Sequence, residues 1–216
     1  MDIKKLNVSV VVLAQDHNPS ILHPSFLSSQ KIVPEEWELA DPPLCTPPLS
    51  MVKYKNGIVF TVETNKLQVL QAPPPEQLAA SEVPKLVASY IEKLPHVRYT
   101  AVGINIAVGM PHPSPEQFLI DKFLSFKDPQ LKSTALRFVF SIDSGVLNLA
   151  CNPGTIEEAG QGGGAVKLSG IIVNGNYHNE LPGDNPVEEA KQVIASFPQR
   201  CDHFEGTVIR KILEER

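Results

Sequence analysis

Cysteine is scarce in this chain of 216 residues, which has only three. They lie far apart, at positions 45, 151 and 201, and their number is odd. A disulfide framework needs an even set of cysteines at regular spacing, so the pattern does not predict one. We expect reduced, semi-buried thiols and therefore a cytoplasmic location.

Clustered positive charge is also missing. The net charge is −5, and the only adjacent basic pairs are Lys4-Lys5 and Arg210-Lys211. Nucleic acids are bound by surfaces on which many Lys and Arg side chains meet the phosphates. We therefore expect no nucleic-acid partner.

Long hydrophobic runs are absent as well. The apolar stretch 8–14 follows two lysines near the start of the chain. It is far shorter than the roughly 20 residues that a membrane-spanning helix needs. It also lacks the small-residue cleavage pattern of a signal peptide. We expect no signal peptide and no association with a membrane.

Motifs that carry chemistry are not found either. Residues 160–164 are rich in glycine, but they lead into the strand-like segment 165–168 rather than into a helix. A phosphate-binding loop needs a helix N-terminus at that point, so a flexible hairpin loop is the better interpretation. The histidines lack metal-site spacing, and no Gly-x-Ser-x-Gly precedes a helix. The sequence predicts no catalytic residue, no cofactor and no metal.

Proline, in contrast, is abundant, with 20 residues. The prolines concentrate in segments 41–48, 73–75 and 111–113, between stretches with regular periodicity. Proline continues neither a helix nor an interior strand, so rigid connectors are favoured over a polyproline recognition motif. Residues 15–50 are interpreted as a long, proline-rich excursion that packs over the core.

Two segments have the alternating pattern of β-strand sets. In 51–71 the alternation surrounds Asn56-Gly57, a strong hairpin signal because both positions favour positive φ. In 136–173 it surrounds a turn at Ser144-Gly145. A further tight turn is expected at Asn174-Gly175, which leads into one more short strand.

Each strand set is followed by an amphipathic helix. Apolar residues recur at helical spacing over 82–94, and Ser114-Pro115 predicts the start of another helix. Asn185 is expected to begin a third helix. Asp202 is expected to cap a separate last helix, with Pro198 separating or kinking the two.

The order of these elements predicts an α+β fold with a predominantly antiparallel sheet. Two strand-set-plus-helix halves build the sheet, and the helices pack on one side of it. We expect a single domain over residues 1–216. Whether the halves 1–110 and 111–216 are a pseudo-duplication that shares one sheet stays open.

One polar cluster is a candidate for a ligand-binding site. Asp16, His17 and Asn18 directly follow a buried strand over 6–14. Polar groups at the end of a buried strand often line a site. Asp and Asn also favour turns, so a turn that leaves the sheet is the stronger interpretation.

These observations favour a non-catalytic module that binds a protein partner or forms a homo-oligomer. An antiparallel sheet with few helices leaves edges or a face that a partner or second copy can cover. Residues 15–50 are the expected contacting element. The alternative is a small-molecule-binding protein or enzyme. Its pocket would lie between the sheet and helix 82–94, near Asp16, His17 and Asn18, with 158–165 as a lid.

Overall fold

The computed structural model describes residues 2–126, 128–159 and 165–213. Within these residues nine strands form one sheet. The strands are β1 Lys4–Gln15, β2 Leu44–Cys45, β3 Leu49–Lys53, β4 Ile58–Glu63, β5 Lys66–Gln71, β6 Arg98–Pro111, β7 Leu136–Ile142, β8 Gly145–Ala159 and β9 Ala165–Glu180. The helices are α1 Pro24–Ser29, α2 Val83–Lys93, α3 Pro115–Phe123, α4 Pro186–Ala195, α5 Phe197–His203 and α6 Ile209–Leu213.

The sheet joins the two predicted halves. Its order is β2-β3-β4-β5-β1-β6-β9-β8-β7, and each neighbouring pair is antiparallel. The first strand lies in the interior, between β5 and β6. The predicted α+β fold with an antiparallel sheet is confirmed.

The helices cover one face of the sheet. Alternate residues of the central strands, such as Val10 and Ile104, point to that face and are fully buried. Tyr90 of α2 lies against Phe60 of β4, with 6.5 Å between the ring centroids. These residues belong to one continuous hydrophobic cluster. Burial of this face drives the helix layer onto the sheet, which confirms that the helices pack on one side.

The proline-rich excursion between β1 and β3 lies over the same core. Leu22 and Leu27 are completely buried. Phe26 of α1 contacts Tyr90 with 5.9 Å between centroids, and Trp37 contacts Tyr54 at 5.2 Å. The excursion therefore extends the covering layer beyond α2.

Two local predictions are wrong. The expected turn at Asn174-Gly175 does not form, because β9 continues through it and pairs with β6 and β8 on both sides. Gly175 has a packing role instead, since the ring of Phe204 lies over it. Asp202 caps no separate helix, because it lies inside α5, which continues through the π-helical turn Phe204–Val208 into α6.

No helix in the described residues is long and apolar enough to cross a membrane.

Candidate binding surface at the free edge and open face of the sheet

The two edges of the sheet differ in how they are protected. Edge strand β2 has only two residues, and prolines at 42, 43, 47 and 48 flank it. Short edges and prolines prevent the addition of another strand. Edge strand β7 has seven residues and contains neither proline nor lysine. Of these two terminal strands, only β7 therefore presents a long row of unpaired backbone groups.

The side chains of β7 are apolar on both faces of the sheet. Val139, on the face without helices, is 61% exposed, and Phe140, on the helix face, is 43% exposed. Phe138 lies beside Phe140, with 6.2 Å between ring centroids, and contacts Phe123 of α3 at 5.5 Å. Helix α3 thus supports Phe138 and leaves the outer part of the strand uncovered.

A cleft of about 220 Å³ lies beside β7, between the sheet and the C-terminal helices. Its apolar walls are Phe140, Ile142, Leu147, Val208 and Ile212. Its polar lining residues are Ser141, His203, Thr207 and Lys211.

The histidine of this cleft is held by a buried tyrosine. His203 Nδ1 and the Tyr177 hydroxyl share a hydrogen bond of 2.8 Å. Burial, together with Arg200 and Lys211, lowers the pKa of His203. A neutral imidazole can accept the tyrosine proton, and burial raises the pKa of Tyr177. The pair is therefore neutral at physiological pH.

The face of the sheet opposite the helices carries a row of polar side chains. Asn105 is opposite both Ser9 and Asn176, and Asn176 is also opposite Asn148. Hydrogen bonds run from Arg137 to Asn148 (3.4 Å), from Asn148 to Asn176 (3.5 Å) and from Asn176 to Asn105 (2.6 Å). We call Asn148, Asn176 and Asn105 the carboxamide row; Arg137 donates to its outer end.

The row ends at a buried hydroxyl. Asn105 Nδ2 donates to Ser9 Oγ at 3.3 Å, and Gln68 Nε2 donates to the same oxygen at 3.4 Å. Six adjacent strands are thereby linked, from β7 to β5. A hollow of about 430 Å³ lies on this face against the row, and Asn7, Asn174, Ala107 and Ala150 also line it.

The three residues predicted as a ligand site have different local roles. Asp16 has a φ of 60° and lies at the bend after β1. His17 is buried, with Nε2 3.4 Å from the Val12 carbonyl oxygen and its ring 5.9 Å from Tyr99. Asn18 accepts a hydrogen bond from the Ser20 amide at 3.1 Å and begins a 3-10 turn. This arrangement is the turn expected from sequence; ligand binding there stays a prediction.

The positions of Asp16, His17 and Asn18 give no support to the predicted pocket between the sheet and α2, or to its predicted lid. Residues 160–164 of the glycine-rich loop lie outside the described residues. The clefts described above are lined by the open face, by β7 and by the C-terminal helices, not by α2.

The two buried thiols are not activated. Burial raises the pKa of Cys151 to about 12. Burial, with Glu205 and Asp202 nearby, raises the pKa of Cys201 to about 12 as well. A protonated thiol is a poor nucleophile and metal ligand. Among the described residues, no group of three or more His, Cys, Asp or Glu side chains could hold a metal ion.

Sequence reasoning missed both the free edge and the carboxamide row. The signal for the row was present, because Asn174 and Asn176 alternate with apolar residues along one strand. Which asparagines meet across strands depends on strand order and register, which the sequence does not display.

Comparison with known proteins gives no further information about these surfaces. No protein-family model matches the chain, and no curated protein matches it significantly.

Proposed function

We propose that this protein is a non-catalytic module that self-associates through β7. The observation that carries the proposal is the contrast between the two sheet edges. β2 is short and flanked by prolines, whereas β7 is long, apolar and without a charged or proline blocker at its centre. Such an edge adds a further strand readily, through main-chain hydrogen bonds.

A second copy of β7 is a suitable added strand. Two identical strands that pair antiparallel are related by a twofold axis, so the contact closes after two copies. With Val139 on the axis, all seven residues of each strand are paired. Val139 then meets its own copy, and Arg137 lies opposite Ser141 of the second copy. No two like charges face each other in this register.

The same pairing buries the exposed aromatic rings. Phe138 of each chain lies opposite Phe140 of the other on the helix face, beside the cleft of about 220 Å³. Aromatic cross-strand pairs stabilise antiparallel sheets. An aromatic ring of the second copy can cover the apolar surface of this cleft. Buried aromatic rings of this kind stabilise the centres of protein interfaces.

Composition and thiol chemistry support a cytoplasmic module without nucleic acid. All three cysteines are free, and two of them are buried. The net charge of −5 does not favour binding to phosphates. We therefore include a cytoplasmic location and a protein partner, a second copy, in the proposal.

Light scattering of the purified protein tests this function. The expected mass is twice that of one chain, and it should fall to one chain in Val139→Lys, because two lysines then face each other on the axis. Leu44→Lys is the matched control, since Leu44 is 45% exposed on the other edge. It should leave the mass unchanged. A wild-type protein that stays monomeric at high concentration contradicts the proposal.

A second candidate function is the binding of a small apolar molecule in the cleft between β7, β8 and α6. Its apolar walls and the ammonium group of Lys211 favour a ligand with one negative group. The monomeric Val139→Lys variant separates the two functions, because its cleft is free of a second copy. Saturable binding of octanoate to this variant supports the candidate; octanoate that leaves its fluorescence and melting temperature unchanged contradicts it.

A further inference from the structure

The carboxamide row keeps hydrogen-bonding capacity that its own bonds do not use. A carboxamide has two N–H donors and an oxygen with two lone pairs. Within the described residues, Asn105, Asn148 and Asn176 each give one N–H and one lone pair to the row. Each therefore retains one donor and one acceptor side by side on its carboxamide, and all three residues line the hollow.

The row is held in place before any ligand arrives. Gly103 leaves room for Asn176, because a Cβ at Gly103 would lie 2.7 Å from Asn176 Nδ2. Asn105 is fixed between Asn176 and the buried Ser9. Binding then costs little side-chain entropy, since the groups are already ordered.

The chemistry of the hollow selects among ligand classes. A donor and an acceptor side by side match two neighbouring hydroxyl groups, each of which both donates and accepts. Arg137 is the one charged residue among those described that line the hollow, and its guanidinium matches a carboxylate. No aromatic ring is found among the same lining residues, so a nucleobase would have no stacking partner.

We infer that this hollow binds a polyhydroxylated carboxylate, a sugar acid, with its hydroxyl groups on the asparagines and its carboxylate on Arg137. The hollow's volume of about 430 Å³ lies within the usual range of small-molecule sites. One chain supplies the whole site, so the inference does not depend on self-association.

The side-chain amide resonances of the asparagines test this inference on the wild-type protein. We expect millimolar D-glucuronate to shift the signals of Asn105, Asn148 and Asn176, with an affinity about 10-fold higher than that of D-glucose because of the added charged hydrogen bond. Unshifted signals would overturn the inference. So would a stronger response to adenosine monophosphate.

Two variants assign the roles. Arg137→Gln should remove the preference for glucuronate over glucose, and Asn176→Ala should weaken the binding of both sugars about 10-fold. Thr61→Ala is the control, because Thr61 lies on the same face but outside the hollow. It should bind like the wild type. A preference for glucuronate that survives in Arg137→Gln overturns the carboxylate assignment.

Discussion

The ring of Phe204 lies against Gly175, so closely that a Cβ on the glycine would be 2.5 Å from Cε2 of the ring. Phe204 is fully buried in the π-helical turn between α5 and α6, and Gly175 lies in the middle of β9. This contact fixes the C-terminal helices on the sheet. It also explains why a glycine stands in a strand interior, where its conformational freedom is a cost.

Replacing Gly175 by alanine should destabilise the fold by about 1–3 kcal/mol, because a methyl group must displace the Phe204 ring in a packed core. The free energy of unfolding in urea measures this effect. Gly206→Ala is the matched control, since a Cβ there meets nothing within 4 Å. It should be neutral or stabilise the helical turn by up to about 1 kcal/mol. Equal effects of the two substitutions would contradict the packing account.

The stability should decrease as the pH falls below neutral, partly because of His17. Burial lowers the pKa of His17 in the fold, so the unfolded chain binds more protons as the pH falls below about 6.5. Stability is then present at neutral pH and is lost toward acid pH, by at most about 1.4 kcal/mol per pH unit for one histidine. Urea unfolding at several pH values measures the slope.

His17→Phe should reduce that slope, because the substituted chain has one fewer group whose protonation opposes folding. His96→Phe is the same substitution at an exposed position and serves as the control. If the two variants behave alike, burial of His17 does not shape the pH dependence.

One thiol should react in the folded protein and three in the unfolded protein. Cys45 is exposed on β2, whereas Cys151 and Cys201 are buried and their pKa is raised to about 12. Titration with an aromatic disulfide reagent, before and after addition of denaturant, counts the reactive thiols. Rapid reaction of more than one thiol in the native protein would contradict the described burial.

The proposed register of the β7 pair can be tested by cross-linking. In a Cys45→Ser background, Val139→Cys should form a disulfide between two chains, because the two positions meet on the twofold axis. Ser141→Cys should not, since its copy would be displaced by four residues, about 13 Å along the strand. Disulfides do not form over such a distance. Efficient cross-linking through position 141 alone would require a different register.

The fold class was predictable because it rests on local periodicity. The alternation over 51–71 and the helical spacing over 82–94 report burial on one face, which does not depend on the rest of the chain. The turn at Asn174-Gly175 was wrong because pairing with strands on both sides outweighs a local turn preference. Sequence proximity cannot reveal such a long-range effect.

The candidate surface could not be predicted for the same reason. The strand order places β1 inside the sheet and β7 at one end of it, next to β8. β7 is an edge strand for that reason. The carboxamide row exists only in the register that places Asn105 beside Asn176. Both depend on contacts between residues far apart in the chain. Asp16, His17 and Asn18, by contrast, form the local turn that their own residue types favour.

Hydrogen–deuterium exchange of the β7 backbone amides tests the central claim most directly. At high protein concentration the amides of Leu136–Ile142 that point away from β8 should exchange slowly, and dilution should speed up their exchange, because pairing with a second copy satisfies the free edge. In the Val139→Lys variant these outward amides should exchange rapidly at every concentration. Outward β7 amides that exchange rapidly in the wild type, without any dependence on concentration, would contradict self-association through this edge.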